Sequence, residues 1–590
     1  MSDYKHPYRD AEFVLDQLVG FDALCEAANL EGINMELAAT VVEEAGKLGA
    51  GVLAPLNRVG DEKGAHLDEQ GVQQTPGFKE AYDQLVEGGW LSLNAAEEFG
   101  GQGLPKVLGT AVNEIWHSAN MAFALCPLLS QGAIEALTHH GSDALKRTYL
   151  PKMVSGEWAG TMNLTEPDAG SDLAAVKSKA IPDGDVYRIS GTKIFITWGD
   201  HQMTENIVHL VLARLPDAPA GVKGISLFIV PKFLLDANGE TTDQRNGAVA
   251  LSLEHKLGIH GSPTCVMEFE NAEGYLVGEA NQGLKYMFTM MNDARQGVGV
   301  QGLSISERAY QLALQYSKDR LQGTLKDGSR VAIIEHPDVR RMLMVMKSTT
   351  EAMRALCLTA SAELDKARLV GGDNAAEHMA RAELLTPIVK GWCTEMSVEL
   401  TSVGVQVHGG MGFIEETGAA QYFRDARILP IYEGTNAIQA LDLIGRKMLV
   451  NGGTVLTSLL KEMDSTLEAA KSAQVLPESA LTQFEAALKS ALSSRDFILA
   501  GAKEDHNLAG SVAMSFLMQM GYTTGGWLML ASAIKAKAKL DAGEGDPEFY
   551  GAKLATAQFF CEHLLPRQAS HALTLMAGSG SVMALSNEQF

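Results

Sequence analysis

VYRISGTKIFITWG, Val186 to Gly199, is the stretch that decides the fold class. It is rich in β-branched and aromatic residues and ends on glycine, the composition of a strand and not of a helix. Three similar runs follow, NIVHLVLARL (Asn206 to Leu215), GISLFIVPKFL (Gly224 to Leu234) and CVMEFENA (Cys265 to Ala272), set apart by Gly, Pro, Asp and Asn. Together they predict a small β domain. Outward from it the hydrophobic period lengthens. Ala38 to Leu53 and Gln131 to Met153 space Ala, Leu, Val and Ile three and four residues apart, and ISERAYQLALQYSKDRL, Ile305 to Leu321, is too long for a strand. The order is helices, sheet, helices: an α+β chain, mainly α. After Gly452 and Gly453 the pattern stays helical, with Asp546 and Pro547 as N-cap and first-turn proline ahead of the stripe Phe549, Leu554, Ala557, Cys561 and Leu564. The expected division is an N-terminal extension (1–40), an N-terminal helical domain (41–160), a middle β domain (161–280), a helical domain (281–450) and a C-terminal helical extension (451–590).

A chain of 590 residues exceeds one compact core, and its 46% hydrophobic and 20% charged residues exclude a disordered class. The 48 basic and 72 acidic residues leave a net charge of −24, the wrong field for a nucleic-acid partner. Six cysteines, scattered singly, have neither zinc-ribbon nor redox-dithiol spacing and suit reduced, buried thiols of a cytoplasmic protein. The opening MSDYKHPYRDAEF lacks a secretory apolar region, and no uncharged apolar run reaches about 18 residues, so neither export nor a membrane span is expected.

Four segments could carry chemistry. TEPDAGSD, Thr165 to Asp172, falls where the first helical block meets the β domain. Its Gly, Ser and backbone N–H groups suit an anionic or carbonyl-rich ligand, and equally a polar turn with Asp168 and Ser171 as local caps. Strand alternation places Phe195 and Thr197 on one face, either as an aromatic wall and hydroxyl for a flat ring system or as ordinary packing. QVHGGMGF, Gln406 to Phe413, has glycines that permit close approach to a phosphate or simply a tight turn. In LPIYEGTNAIQALDLIGRKML, Leu429 to Leu449, Thr435 or Asn436 can cap a helix whose stripe is Ile438, Leu441, Ile444 and Leu449. Glu433 and Gly434 are left on the turn before it. Flanked by Ile431 and Tyr432, Glu433 is either a poorly hydrated carboxylate of raised pKa, suited to a weakly acidic carbon proton, or a capping or salt-bridged surface glutamate.

In this order, over about residues 50–450, the segments resemble the acyl-CoA dehydrogenase family. NLTEPDAGSDLAA, Asn163 to Ala175, corresponds to one family signature, with Asn163 where a small residue is usual. QVHGGMGFIEE, beginning at Gln406, corresponds to the second, with Gln421 at a normally basic position while Arg424, Asp425 and Arg427 match. HKLGIHGSPTCVMEFENA (His255 to Ala272), DRLQG (Asp319 to Gly323) and EEFGGQGLP (Glu97 to Pro105) are similar to family segments as well.

The resemblance implies a barrel-like middle domain, a C-terminal four-helix bundle and a noncovalent FAD. It assigns the cofactor to Met162, Asn163, Leu164, Thr165, Gly170 and Ser171, to Phe195, Ile196 and Thr197, and to Thr435, Asn436 and Ala437. Arg320, Gln322, Gln406, Gly409 and Gly410 would reach the FAD of a neighbouring subunit, which implies at least a dimer. Ser171, Arg295 and Gly434 would lie near the acyl-CoA, and Glu433 would be the catalytic base, with Asp293 as its competitor because Ala294 precedes Arg295. The implied reaction is α,β-dehydrogenation of an acyl-CoA to a trans-2-enoyl-CoA, with electrons passed to an electron-transfer flavoprotein. The long termini are similar to a bacterial branch acting on medium- and long-chain acyl-CoA or on 3-methylmercaptopropionyl-CoA. Residues 451–590 are expected to cover surface that shorter relatives use to form tetramers, leaving a homodimer. The rivals are an acyl-CoA oxidase, a non-catalytic DNA-binding relative, which the tail is not basic enough to favour, and a membrane-surface role for Gly521 to Gly543. His139 and His140 point apart on a helix, so no metal is expected.

Overall fold

The structure, a computed structural model, describes residues 4–324 and 326–590. Among the described residues seven strands form the main sheet: β1 (Trp158–Asn163), β2 (Lys179–Asp183), β3 (Val186–Thr197), β4 (Asn206–Arg214), β5 (Ile225–Pro231), β6 (Ala248–Leu253) and β7 (Thr264–Leu276). β7 pairs antiparallel with β6, β3 and β5; β3 pairs with β2, and β4 with β5. β2 meets β4 at Lys179 and Arg214, so β3, β7, β5, β4 and β2 close a ring, and β1 adds parallel to β4. The long apolar runs follow from this closure: β5 is buried at every position and β4 at all but its last, so neither alternates. Leu210, Leu212, Leu227 and Ile229 pack with Ala133 and Leu137 on one side, while Val211, Ala213, Phe228 and Val230 pack with Ile189 on the other.

The long helices used below are α1 (Lys106–His140), α2 (Gly283–Asp319), α3 (Pro337–Asp365), α4 (Ala375–His408), α5 (Asn436–Ile444), α6 (Leu508–Ala542) and α7 (Pro547–Phe559). The chain forms two compact units: a β-containing unit of Lys47–Leu104 and Ile115–Gly297, and a helical unit made of the segment ending at Gly46, Pro105–Glu114 and Val298–Phe590. The residues after 450 thus share a unit with those of 298–450. A short hairpin, His66–Asp68 with Gly71–Gln73, interrupts the otherwise helical N-terminal part of the β-containing unit.

α1 is long and apolar enough to cross a membrane by length and composition, but 83% of its apolar window is buried, as in a core helix. It breaks at Asn120 (φ −157°, ψ 92°), whose Oδ1 accepts from the Phe123 N–H at 3.1 Å. The rival membrane-surface reading of Gly521 to Gly543, already weak with three lysines on its basic face, is not supported by the burial of α6. Gln519 to Leu530 are all buried, and α6 packs on α3, α4 and α5, so it has no lipid-facing apolar stripe to offer. Its glycines allow this packing: a Cβ at Gly521 would stand 2.1 Å from Trp392 Cγ of α4. Gly521→Val is therefore expected to cost roughly 3 kcal/mol or more, measured as a lowered urea midpoint of the far-ultraviolet transition.

The α5 stripe also needs correction. Leu441 is exposed, and the buried face runs Asn436, Gln439, Ala440, Leu443 and Ile444, because polar residues of α5 are consumed in bonds to α4 and to its own turn. Asp546 does cap α7, accepting from Glu548 N at 2.8 Å. The two termini meet inside the helical unit: Asp10 pairs with Lys553, Arg9 with Asp546 at 2.6 Å, and Phe13 lies 6.0 Å from the Phe549 ring. Beside them Arg354 sits between Glu114 and Glu307, each at 2.8 Å, and all three are buried.

Candidate active site

The site residues fall into two sets, one in each unit. In the β-containing unit, β1 runs into the turn Glu166 to Ala169, closed by mutual backbone bonds of 3.0 Å. The turn is not capped by Asp168 and Ser171: Asp168 pairs with Lys177 at 2.5 Å, Ser171 is exposed, and Asp172 accepts from Ala174 N. Asn163 replaces a small residue for a visible reason. Its Nδ2 donates to Thr161 Oγ1 at 2.9 Å, which is 2.7 Å from His209 Nδ1, and all three side chains are buried. Its Oδ1 has no hydrogen-bond partner among the described residues.

Phe195 differs from the strand expectation. It has φ +60°, a conformation a bulky residue adopts only when its surroundings force it. The ladder shows the cause. Lys193 pairs Met267 and Ile196 pairs Cys265, so two residues of β3 oppose Val266 alone in a bulge. Lys193 is thereby fully buried while Phe195, two residues on, is 58% exposed. Ile196 is buried and Thr197 half-buried. Gly170 is exposed, and an added Cβ there would meet nothing within 4 Å. An exposed aromatic face, a neighbouring hydroxyl and an open glycine loop fit a flat, hydrogen-bonding ring system with an extended polar tail.

In the same unit Arg295 is 4% exposed on α2 and bonds Asn292 Oδ1 at 3.3 Å, with Phe288 under its guanidinium at 5.8 Å. Asp293 is half-buried beside it. His140 stacks on Tyr286 and bonds Thr289, and His139 bonds the Glu135 carbonyl. No group of three metal-ligating side chains occurs among the described residues.

In the helical unit, Glu433 (φ +57°) and Gly434 (φ +83°) form consecutive left-handed residues that reverse the chain before α5. Thr435 is the N-cap, its hydroxyl accepting from Ile438 N at 3.3 Å. The Asn436 N–H donates to Pro430 O at 2.9 Å, and Gln439 Nε2 approaches Glu433 O at 3.4 Å, so both sides of the turn are fixed. The Asn436 side chain is committed inward, accepting from Lys390 Nζ at 2.8 Å and donating to Gly391 O and Glu395. Ala437 is exposed. The Tyr432 hydroxyl donates to buried Gln301, and burial pushes its pKa well above the phenol value. Glu433 is half-buried, held by a strained backbone whose neighbours on both sides are anchored.

Arg320, Gln322, Gln406, Gly409 and Gly410 are all exposed, and a Cβ at either glycine would meet nothing within 4 Å. Met411 (47%) and Phe413 (86%) expose apolar surface beside them. Gln421, the departure from the basic position, is buried and donates to Asp425 at 3.4 Å, one turn along its helix. Sequence reasoning did not single out Lys193 or Glu166. A lysine in the middle of an apolar strand was the available signal.

Comparison with known proteins assigns the whole architecture. Family models match as acyl-CoA dehydrogenase N-terminal domain (58–157), middle domain (161–272) and C-terminal domain (281–449), and as acetyl-CoA dehydrogenase C-terminal like (459–586). The chain belongs to the acyl-CoA dehydrogenase family. It is similar to the 3-methylmercaptopropionyl-CoA dehydrogenase of Ruegeria pomeroyi, 51% identical over 95% of this chain and 96% of that one. It is also similar to the broad-specificity linear acyl-CoA dehydrogenase FadE5 of Mycobacterium tuberculosis, 34% identical over 100% of both chains. Among solved structures, Caenorhabditis elegans ACDH-11 in complex with C11-CoA superposes with a TM-score of 0.78 at 21% identity, covering 95% of this chain and 91% of that one. The Bacillus anthracis acyl-CoA dehydrogenase complexed with FAD does so with a TM-score of 0.73 at 23% identity, covering 93% and 89%. As an acyl-CoA dehydrogenase the protein is an oxidoreductase of a family that uses FAD.

Proposed function

We propose that the protein dehydrogenates an acyl-CoA thioester between its α and β carbons, with 3-methylmercaptopropionyl-CoA as the first candidate substrate. The observation that carries the substrate is the 51% identity, end to end, with the Ruegeria pomeroyi enzyme of that name. A second reading, a straight medium- or long-chain acyl-CoA, is supported by FadE5 at 34% over the full length.

Residues 162–165, Gly170, Ser171 and Phe195 to Thr197 would hold the FAD, with Thr435, Asn436 and Ala437 contributing through backbone. Asn436 has no side-chain capacity left to give. When bound, FAD supplies the two-electron acceptor for the hydride leaving the β-carbon. The chain's own task is the α-proton, whose pKa in water lies far above that of a carboxylate. Glu433 takes it. The Glu433 backbone N–H is the donor for the thioester oxygen, where enolate charge develops; one such donor is worth about 3 to 4 kcal/mol. Arg295, Ser171 and Gly434 position the acyl-CoA. Electrons then pass to an electron-transfer flavoprotein. The exposed Arg320, Gln322, Gln406, Gly409 and Gly410, beside apolar Met411 and Phe413, support a homodimer in which each subunit completes its partner's cofactor site, with residues 451–590 covering the surface of further association.

The experiment is anaerobic titration of purified holoprotein with acyl-CoA thioesters of graded length and 3-methylmercaptopropionyl-CoA, following loss of the flavin's visible band. Bleaching by at least one thioester is expected, fastest with 3-methylmercaptopropionyl-CoA. No bleaching by any would overturn the reaction; preference for a straight chain would move the substrate to the second reading. Admitting air separates the acceptors: stoichiometric peroxide within seconds marks an oxidase, persistence of the reduced flavin a dehydrogenase. Light scattering is expected to give twice the chain mass, and a monodisperse tetramer would count against the covering role of the tail.

A further inference from the structure

The Glu166 carboxylate is 5% exposed and gathers both ends of the loop that follows β1. Oε2 accepts from Lys177 N at 2.6 Å, and Oε1 accepts from Ser178 N at 3.1 Å, Ser178 Oγ at 2.6 Å and Lys193 Nζ at 2.7 Å. The 166–178 segment is therefore a ring closed on one buried side chain. Lys193 fastens that ring to β3: its Nζ also donates to Leu164 O at 3.0 Å, and the next residue's N–H, Ile194, donates to Thr165 O at 2.9 Å. Three consecutive loop residues are thus pinned to two consecutive strand residues. The bulge and the left-handed Phe195 come immediately after.

Stability is a poor account of this pair. A fully buried lysine and glutamate forfeit hydration that an apolar pair of similar volume would not, so such pairs are often neutral or unfavourable relative to packed hydrocarbons. What a hydrogen-bonded charge pair supplies is one fixed geometry. Burial lowers Lys193 to about 8, while Lys193 and the bonds from Ser178 and Lys177 keep Glu166 below its ordinary value, so both are ionised at neutral pH.

Resting on the flavin-dependent reading above, we propose that Lys193 and Glu166 are a positioning pair that fixes the 163–171 loop relative to Phe195 and Thr197, and so sets how tightly and in what orientation FAD is held. Neither side chain has to touch the cofactor. The pair acts through the backbone of Leu164 and Thr165 and through the strand that carries Phe195.

The test compares the full-length parent, Lys193→Met, and the double variant Lys193→Met with Glu166→Gln, each stripped of flavin and titrated with FAD. The single variant strands a buried carboxylate and is expected to melt lower. The double variant removes both charges, so its apoprotein is expected to melt within a few degrees of the parent. Its FAD dissociation constant is nevertheless expected to rise 10-fold or more, with the resolved shoulders of the bound flavin's visible spectrum flattened and flavin fluorescence partly restored. A double variant with the parent's dissociation constant and spectrum would overturn the proposal. An apoprotein melting far below the parent would overturn it too, assigning the pair to folding alone. If the parent itself takes up no FAD, the flavin-dependent reading fails instead; if the parent binds FAD and acyl-CoA bleaches it while the double variant matches it, only the present inference fails.

Discussion

Glu433→Gln is expected to stay folded, bind FAD and remain yellow, and yet lose turnover by a factor of about 1,000 or more. A positioned general base contributes on the order of 100- to 10,000-fold, and here it acts on a carbon acid far weaker than itself. Glutamine preserves the side chain's shape and the backbone N–H that would face the thioester oxygen, so only the proton acceptor is removed. It also tolerates the local backbone as glutamate does: the left-handed turn at φ +57° is imposed by Gly434, the Thr435 cap and the Asn436 N–H bond to Pro430 O. The decisive measurement is anaerobic mixing with acyl-CoA, in which the variant should form its complex and leave the visible band unbleached over minutes. Asp293→Asn is the control and should retain most of the parent's rate. Near-normal bleaching by Glu433→Gln, or its loss in Asp293→Asn, would transfer the role of base to Asp293.

What could be foreseen from residues alone depended on whether the signal was local. The β3 run and the Thr435 cap were legible because strand propensity and capping are set by a few adjacent side chains. The environment of α6 was not legible locally, because a stretch buried on all sides, as Gln519 to Leu530 is, has no amphipathic period, and only Trp392 against Gly521 shows what covers it. Leu441 was misplaced for the opposite reason. Asn436 and Gln439 are polar, yet they take the buried face of α5 because Gly391 and Glu395 of α4 and the Glu433 carbonyl receive their amides. Neither the bulge at Phe195 nor the Lys193 partnership could be inferred from the strand itself. The first is created by the register of β7, and the second by a carboxylate 27 residues away. Non-local pairing is what strand alternation omits, and it is also what shapes this half of the candidate site.

Acid should unfold the β-containing unit well before it affects the helical one. His117, His201 and His209 are completely buried there, and burial lowers each to about 3. In the unfolded chain each titrates near 6.5. Between those values the unfolded state binds protons that the folded state refuses, so stability is fully present above pH 6.5 and falls as pH drops toward 3. At pH 5 each histidine removes about 2 kcal/mol, and the three together about 6 kcal/mol, comparable to the whole stability of a typical domain. Among its described residues the helical unit has one histidine lowered as far, His6, to about 3, while burial also lowers His408 and His571. It also has an offset: burial raises Asp365 to about 6, so over the range from its unfolded value near 3.9 up to 6 the folded state holds the extra proton, and stability there rises as pH falls. Lys553 holds Asp10 well below the carboxylate range despite its burial, so its contribution is lost only at lower pH. Brief proteolysis of holoprotein at pH 7, 6 and 5, with fragments mapped by mass, should therefore show cleavage within 158–214 at a pH where 508–542 stays intact, with FAD released at the same step. His117, whose shift is due to burial alone, provides the internal check: His117→Gln should reduce the pH slope of unfolding free energy by about one proton. Equal loss of both regions, or a slope unchanged in that variant, would mean that these histidines do not control acid stability.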